Sequence, residues 1–222
     1  MTSTEFAELI RPVTDLLAPR LERAGFGRFA VGQNYLWHRN SVGDFLVVTL
    51  QHSWTMPDER TAFYVSLQVV PLPWLCLVRE TSRTAGRELV PDANDGMIDV
   101  RTYSPHGPWP WEYEFSAGPD DIADEIVISL STDRMTAARR FLSRAALLDA
   151  LDRDEKISGL RPVARVAELV LRLDESPSAE LDSLNSLIAD GDDGASDLRT
   201  WCTTYRDRDT EIPTMPRADE GA

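Results

Sequence analysis

The first 25 residues carry the hydrophobic pattern of an amphipathic helix. Their apolar positions recur at intervals of three and four, which places them on one helix face; they are Phe6, Leu9, Ile10, Val13, Leu16, Leu17 and Leu21. Thr2 and Glu5 have the spacing of a capping box, and Gly25 provides the stop. Because Pro12 and Pro19 lie inside the pattern, we expect the helix to be kinked or split.

Three runs of alternating apolar and polar residues follow, as half-buried β-strands require. The first run ends near Arg39, the second covers 46–54 and the third covers 61–70. The apolar residues that share a parity are Tyr35 and Trp37, then Leu46, Val48 and Leu50, then Phe63, Val65, Leu67 and Val69. Their connections are too short for parallel pairing, which needs long crossovers. The sequence therefore predicts an antiparallel meander whose apolar face the opening helix covers.

The stretch from 71 to 110 is rich in proline, which rules out long regular elements there. Short strands are still expected at 98–103 and 111–115. Residues 122–130 fit either a helix or a strand, and the helix is favoured because Pro119 is followed by two aspartates, as at a helix entrance.

These elements together predict an α+β fold, with an N-terminal helix packed on an antiparallel meander of three to five strands. Residues 1–118 form the sheet domain in this prediction. Residues 119–206 form a helical region that is packed on it or appended to it. Residues 207–222 have too little apolar surface to fold and are expected to be disordered.

The net charge of the chain excludes some classes of binding partner. The 222 residues include 37 acids and 23 Lys and Arg residues, for a net charge of −14. The electric field of this negative charge repels phosphate backbones and anionic membranes, and no stretch of the sequence concentrates arginine. The sequence therefore predicts neither nucleic-acid nor membrane binding. No apolar run approaches a membrane span. Cys76 and Cys202 allow one disulfide at most, and free thiols in the cytoplasm are the expectation.

Few side chains offer catalytic chemistry. His52 shares parity with the apolar positions of its strand, and it would meet His38 across the first hairpin if the register brought the two opposite. Such a pair could bind a metal or act as a base, but ordinary hydrogen bonds at strand ends explain both residues equally well, and we favour them. Cys76 has apolar neighbours, typical of an inert buried thiol. Because phosphate-loop, nucleophile-elbow and zinc motifs are missing, the sequence predicts no cofactor and no metal, and it favours a protein without enzymatic activity.

Aromatic residues in and beside the proline-rich loops are more suggestive. They are Trp74, Trp109 and Trp111, with His106 close to them in sequence. Rigid aromatic loops beside a sheet often form binding surfaces. The alternative, which we favour, is that the rings complete the core.

Four segments in order give a resemblance to a known family. They are LAPRLERAGF at 17–26, QNYLWHR at 33–39, FLVVTLQHS at 45–53 and AFYVSLQV at 62–69, and Trp109 with Trp111 is similar to a tryptophan-rich segment that follows. Across about residues 5–130 the chain resembles the bacterial family called domain of unknown function 4304. Ser66 and Gln68 stand where that family is expected to have Asn and Gly. The resemblance implies a fold and a bacterial source, and no activity.

Three functional hypotheses follow. The leading one is a non-catalytic binding protein whose acidic surface complements a basic protein partner. The alternative is a small-molecule-binding protein or hydrolase, with a pocket near His38, His52 and Trp54 between the sheet and the helical half. A third is a structural subunit of a homo-oligomer, and the sequence leaves the oligomeric state open.

Overall fold

The fold was obtained as a computed structural model, which describes residues 2–55, 61–81, 86, 88–102, 111–113, 118–173, 198, 200–202 and 205. The helices are α1 Ser3–Arg23, α2 Leu72–Val78, α3 Pro119–Leu130, α4 Asp133–Arg139, α5 Arg144–Asp152 and α6 Ala164–Arg172, with a 3₁₀ turn at Arg140–Leu142. The strands are β1 Ala30–Val31, β2 Tyr35–Arg39, β3 Phe45–Thr55, β4 Thr61–Val70, β5 Ile98–Thr102 and β6 Trp111–Tyr113. The predicted α+β fold is confirmed.

Helix α1 begins with the predicted capping box. The Thr2 hydroxyl accepts from the backbone N–H of Glu5 at 3.2 Å, and Glu5 Oε2 accepts from the N–H of Thr2 at 2.6 Å. The helix ends before Gly25, whose φ of +79° favours glycine. Both ends of α1 are therefore encoded locally.

The two prolines do not split α1, which is a single helix of 21 residues. Pro12 and Pro19 are exposed, and so are Glu8 and Asp15, whose carbonyl groups lose their helical donors to the prolines. Water can hydrate carbonyl groups on the solvent side of a helix. Of the two expected outcomes, a kink or a split, the split is excluded because the prolines occupy the exposed face of the helix.

The sheet is an antiparallel meander in the order β1-β2-β3-β4-β5, and the short β6 pairs with the start of β4. The register opposes Leu46 to Val69 and His38 to Leu46, with an irregularity in β3 between His52 and Trp54. One face of the sheet packs on α1 as predicted, in a cluster that includes Ile10, Leu17, Leu36, Val48, Leu50, Phe63, Val65 and Leu67.

The second face of the sheet is also covered, which the sequence analysis did not anticipate. Phe45, Val47 and Val70 form a second cluster with Leu75 of α2. Tyr35 and Trp37 pack against this cluster, whereas Leu36 between them faces α1. A seven-residue helix fits within the proline-rich stretch because Pro73 lies in its first turn, where a missing N–H costs nothing.

Helices dominate after residue 118, and the favoured helix at 122–130 is observed as α3. Arg20 of α1 pairs with Asp120 at 2.6 Å and with Asp124 at 2.7 Å. The stretch 135–151 is divided between α4, the 3₁₀ turn and α5. Buried residues of α3 to α6 share one hydrophobic cluster with the sheet and α1. The predicted disorder at 207–222 lies outside the described residues, and so do residues 174–197 of the predicted helical region.

Candidate functional site

A cleft of about 540 Å³ lies where the far end of β3 meets the first turn of α1. The turn before β2 and the segment 92–94 complete its walls. Most of the lining is polar, and it consists of Thr2, Ser3, Phe6, Asn34, Gln51, His52, Asp92, Ala93 and Asn94. We call this site the His52 cleft.

His52 stands at the end of the sheet face that α1 covers. It is paired in register with Phe63, and its ring centroid lies 5.4 Å from that of Phe6. His52 is exposed overall, but desolvation of its ring, with a smaller contribution from the positive amino terminus, lowers its pKa below the usual value. The imidazole is therefore predominantly neutral at pH 7.

Two amide side chains in the lining donate an N–H group back into the protein. Asn34 Nδ2 donates to the carbonyl oxygen of Leu50 at 2.8 Å, and Gln51 Nε2 donates to that of Ala93 at 3.4 Å. Gln68 Nε2 donates to the same Ala93 carbonyl at 2.6 Å, which fixes this part of the wall. The side-chain oxygens of Asn34 and Gln51 are consequently available as acceptors for a ligand.

A buried carboxylate anchors the segment that carries Asp92. Asp95 Oδ2 accepts from Arg79 Nη2 at 2.7 Å and from the backbone N–H of Asp92 at 2.6 Å. Trp74 Nε1 donates to the Asp95 carbonyl at 2.9 Å. The Asp92 side chain itself is 59% exposed and lies 3.9 Å from Arg79. Asp92 therefore presents a carboxylate to solvent, and its Oδ1 already accepts from the backbone N–H of Ala93 at 2.5 Å.

Charges around the cleft nearly balance, because the carboxylate of Asp92 lies 3.9 Å from Arg79. The N–H of Thr2 lowers the pKa of Glu5, so that this carboxylate is ionised at pH 7. Its charge outweighs the roughly half positive charge at the start of a helix. Burial is the main cause that raises the pKa of Tyr35, and Asp92 and Asp95 add to it, which indicates negative potential on that side.

The structure does not bring His38 to His52, so the alternative of a histidine pair across the hairpin is excluded, and His38 makes an ordinary contact with a backbone carbonyl, as favoured. His38 faces Leu46, six residues before His52 on β3, a separation of about 20 Å along a strand. The Nδ1 atom of His38 lies 3.0 Å from the carbonyl oxygen of Arg28, and its ring packs 5.9 Å from that of Phe29. The residue fixes the loop after α1.

The aromatic candidates divide between described and undescribed parts of the chain. Trp74 lies in α2 and is partly buried between the two hydrophobic clusters. The backbones of Trp54 and Trp111 belong to β3 and β6, while their side chains lie outside the described part. His106 and Trp109 also lie outside the described residues.

Sequence patterns missed four residues of the cleft. Asn34 and Gln51 gave no signal, because an isolated polar residue beside a strand is commonplace. Asp92 and Asn94 belong to a PDAND segment that indicates a turn. Only the β2–β3 register and the anchoring of 92–95 bring the four together.

The described residues bear on metal binding, on the state of the thiols and on membrane insertion. There, no group of three His, Cys, Asp or Glu side chains is arranged to hold a metal ion. Cys76 and Cys202 are buried free thiols. None of the described helices is long and apolar enough to cross a bilayer.

Comparison with known proteins gives no match to any family model, any curated protein or any solved structure. Function must therefore be argued from the geometry of this chain alone.

Proposed function

We propose that this chain is a non-catalytic binding protein of the bacterial cytoplasm, and that the His52 cleft receives a cationic side chain of a basic protein partner. The observation that supports this most is the acceptor character of the lining. Asn34, Gln51 and Asp92 line one cavity, and one of the two N–H groups of each amide is already engaged. The amide oxygens and the Asp92 carboxylate can accept hydrogen bonds from a guanidinium or ammonium group.

Long-range charge favours the same type of ligand. The net charge of −14 attracts a basic partner and speeds its encounter, and a neutral His52 does not oppose a cation at pH 7. The nearly balanced charge inside the cleft means that short-range hydrogen bonds, rather than a local excess of carboxylates, must provide the selectivity.

A second candidate is a small cationic molecule held in the same cleft. The volume of about 540 Å³ favours it, because ligand cavities commonly measure roughly 300–1,000 Å³. Both candidates share one recognition chemistry and differ in whether contacts beyond the cleft are needed.

The test compares Asp92→Asn with Asp15→Asn, an exposed position on α1 that removes the same charge outside the cleft. Arginine amide, an arginine-rich peptide and acetate are titrated by calorimetry and by NMR of the His52 ring. We expect cations to bind saturably and acetate not to bind. Asp92→Asn should weaken cation binding about twofold to fivefold, since an exposed ion pair contributes about 0.5–1 kcal/mol.

The results separate the two candidates. Binding of the peptide without the free amide favours a protein partner, and equal binding of both favours a small molecule. If neither cation binds, or if Asp92→Asn behaves like Asp15→Asn, the cleft is not a cation site. Membership of the domain of unknown function 4304 family stays a prediction, which supports the bacterial source only.

A further inference from the structure

A group of basic side chains surrounds the loop that follows α1. Arg23 ends the helix, Arg28 lies in the loop, and Arg139 of α4 and His38 of β2 contact the loop from two other elements. We call this group the arginine patch. No stretch of sequence showed it, because its members come from three separate segments.

Arg139 and His38 are held against the loop by their contacts, whereas Arg23 Nε donates to the carbonyl oxygen of Pro19 at 3.3 Å, one turn back along α1. Arg139 Nη2 donates to the carbonyl oxygen of Gly25 at 3.0 Å, and its guanidinium stacks 4.0 Å from the centroid of the Phe26 ring. A Cβ atom at Gly27 would lie 2.7 Å from the His38 ring, so the imidazole packs directly on the loop backbone. Fixed donors lose less entropy when they bind a ligand.

The arginine patch is not neutralised by carboxylates. Within the described residues, no carboxylate lies within 4 Å of Arg23, Arg28 or Arg139, although neighbouring arginines do have such partners. Arg20 pairs with Asp120, and Arg140 pairs with Glu155. These three arginines also lie around one and the same loop.

The local charge remains positive after the opposing charges are counted. The end of α1 carries roughly half a negative charge. Glu22, next to Arg23, adds one more. Three guanidinium groups exceed this sum by more than one charge, and Asp133 lies at the opposite end of α4 from Arg139.

We propose that the arginine patch binds a single phosphomonoester group of a small molecule. A phosphate dianion offers three acceptor oxygens, and planar guanidinium groups bind such oxygens well. The total charge of −14 opposes polyanions such as nucleic acids, but a single dianion close to three arginines experiences mainly the local field. The site lies at the end of β3 opposite the His52 cleft and is independent of the cation site there.

The test titrates inorganic phosphate, phenyl phosphate and acetate, with sodium chloride at matched ionic strength, while NMR follows the arginine Nε–H groups. Arg28→Ala is compared with Arg165→Ala, an exposed arginine on α6 that removes the same charge. Arg139 is left intact because it supports the loop.

We expect saturable binding of both phosphates, with shifts at Arg28 and Arg139 and weaker binding of acetate. Arg28→Ala should weaken phosphate binding about threefold or more, while Arg165→Ala leaves it nearly unchanged. The proposal is overturned if no phosphate binds saturably, if the two variants behave alike, or if acetate binds as tightly as phosphate. Tighter binding of a single-stranded ten-nucleotide DNA would also overturn it, since the patch would then prefer polyanions.

Discussion

Removing the Asp44 carboxylate should destabilise the whole fold. Asp44 is 1% exposed; its Oδ1 accepts from Arg144 Nη2 at 2.6 Å and from the N–H of Leu72 at 2.8 Å, and its Oδ2 accepts from Arg144 Nε at 2.7 Å. One carboxylate thus joins the β2–β3 turn to the starts of α2 and α5. Asp44→Ala leaves a nearly buried guanidinium without its carboxylate.

The size of the expected loss in stability follows from the burial of the Asp44–Arg144 pair. Removing one partner of a buried pair costs about 3–5 kcal/mol, whereas an exposed pair within a helix contributes about 0.3–0.5 kcal/mol. Asp149 and Arg153 form such an exposed pair, with side chains 64% and 62% exposed, so Asp149→Ala is the matched control. For a chain of this length, 1 kcal/mol corresponds to about 2–4 °C in Tm, so Asp44→Ala should lower Tm by about 6–20 °C.

Urea denaturation followed by circular dichroism and tryptophan fluorescence measures the free energy of unfolding. If Asp44→Ala costs no more than Asp149→Ala, the pair is not the junction that its contacts indicate. The double variant Asp44→Ala/Arg144→Met should recover about 1 kcal/mol or more, because it also removes the guanidinium charge that the Asp44 carboxylate balances. No recovery would assign the cost to the N–H of Leu72 instead.

Three further outcomes are expected. Folding lowers the pKa of His52, so its contribution to the free energy of unfolding should be fully present above pH 6.5, the unfolded value. This contribution should be lost as the pH drops from 6.5 through the native pKa. His52→Gln should remove this part of the pH dependence in urea titrations at pH 7.5 and 5. Gly27→Ala should cost about 1–3 kcal/mol by thermal denaturation, since φ is +100° and the new Cβ would meet His38; a neutral effect would contradict the contact. Thr2→Ala should cost about 1 kcal/mol, because it removes the N-cap of α1, and Thr2→Ser should restore most of that stability.

The sequence was informative wherever structure is encoded locally. The capping box at Thr2, the stop at Gly25 and the alternation from Phe63 to Val69 each fix an element from a few neighbouring residues. The meander followed from short connections, because chain length alone excludes parallel neighbours. Pairings between distant segments were much harder to predict. The separation of His38 from His52 depends on register, and the approach of Asp92 to Gln51 depends on a buried contact at Asp95.

Polar residues inside strands show why such sites escape sequence patterns. The alternating pattern indicates only that Thr49, Ser66 and Gln68 face away from α1. It does not show whether that face is solvated or buried, because a solvated face and a buried polar face have the same sequence pattern. In the structure the Thr49 and Ser66 hydroxyls lie 2.7 Å apart in a buried pair, and Gln68 holds the Ala93 carbonyl. A Cβ at Gly96 would lie 2.9 Å from Gln68 Oε1, so this glycine permits the close approach of the segment that carries Asp92. The acceptor lining of the His52 cleft is therefore a consequence of how the second face of the sheet is covered.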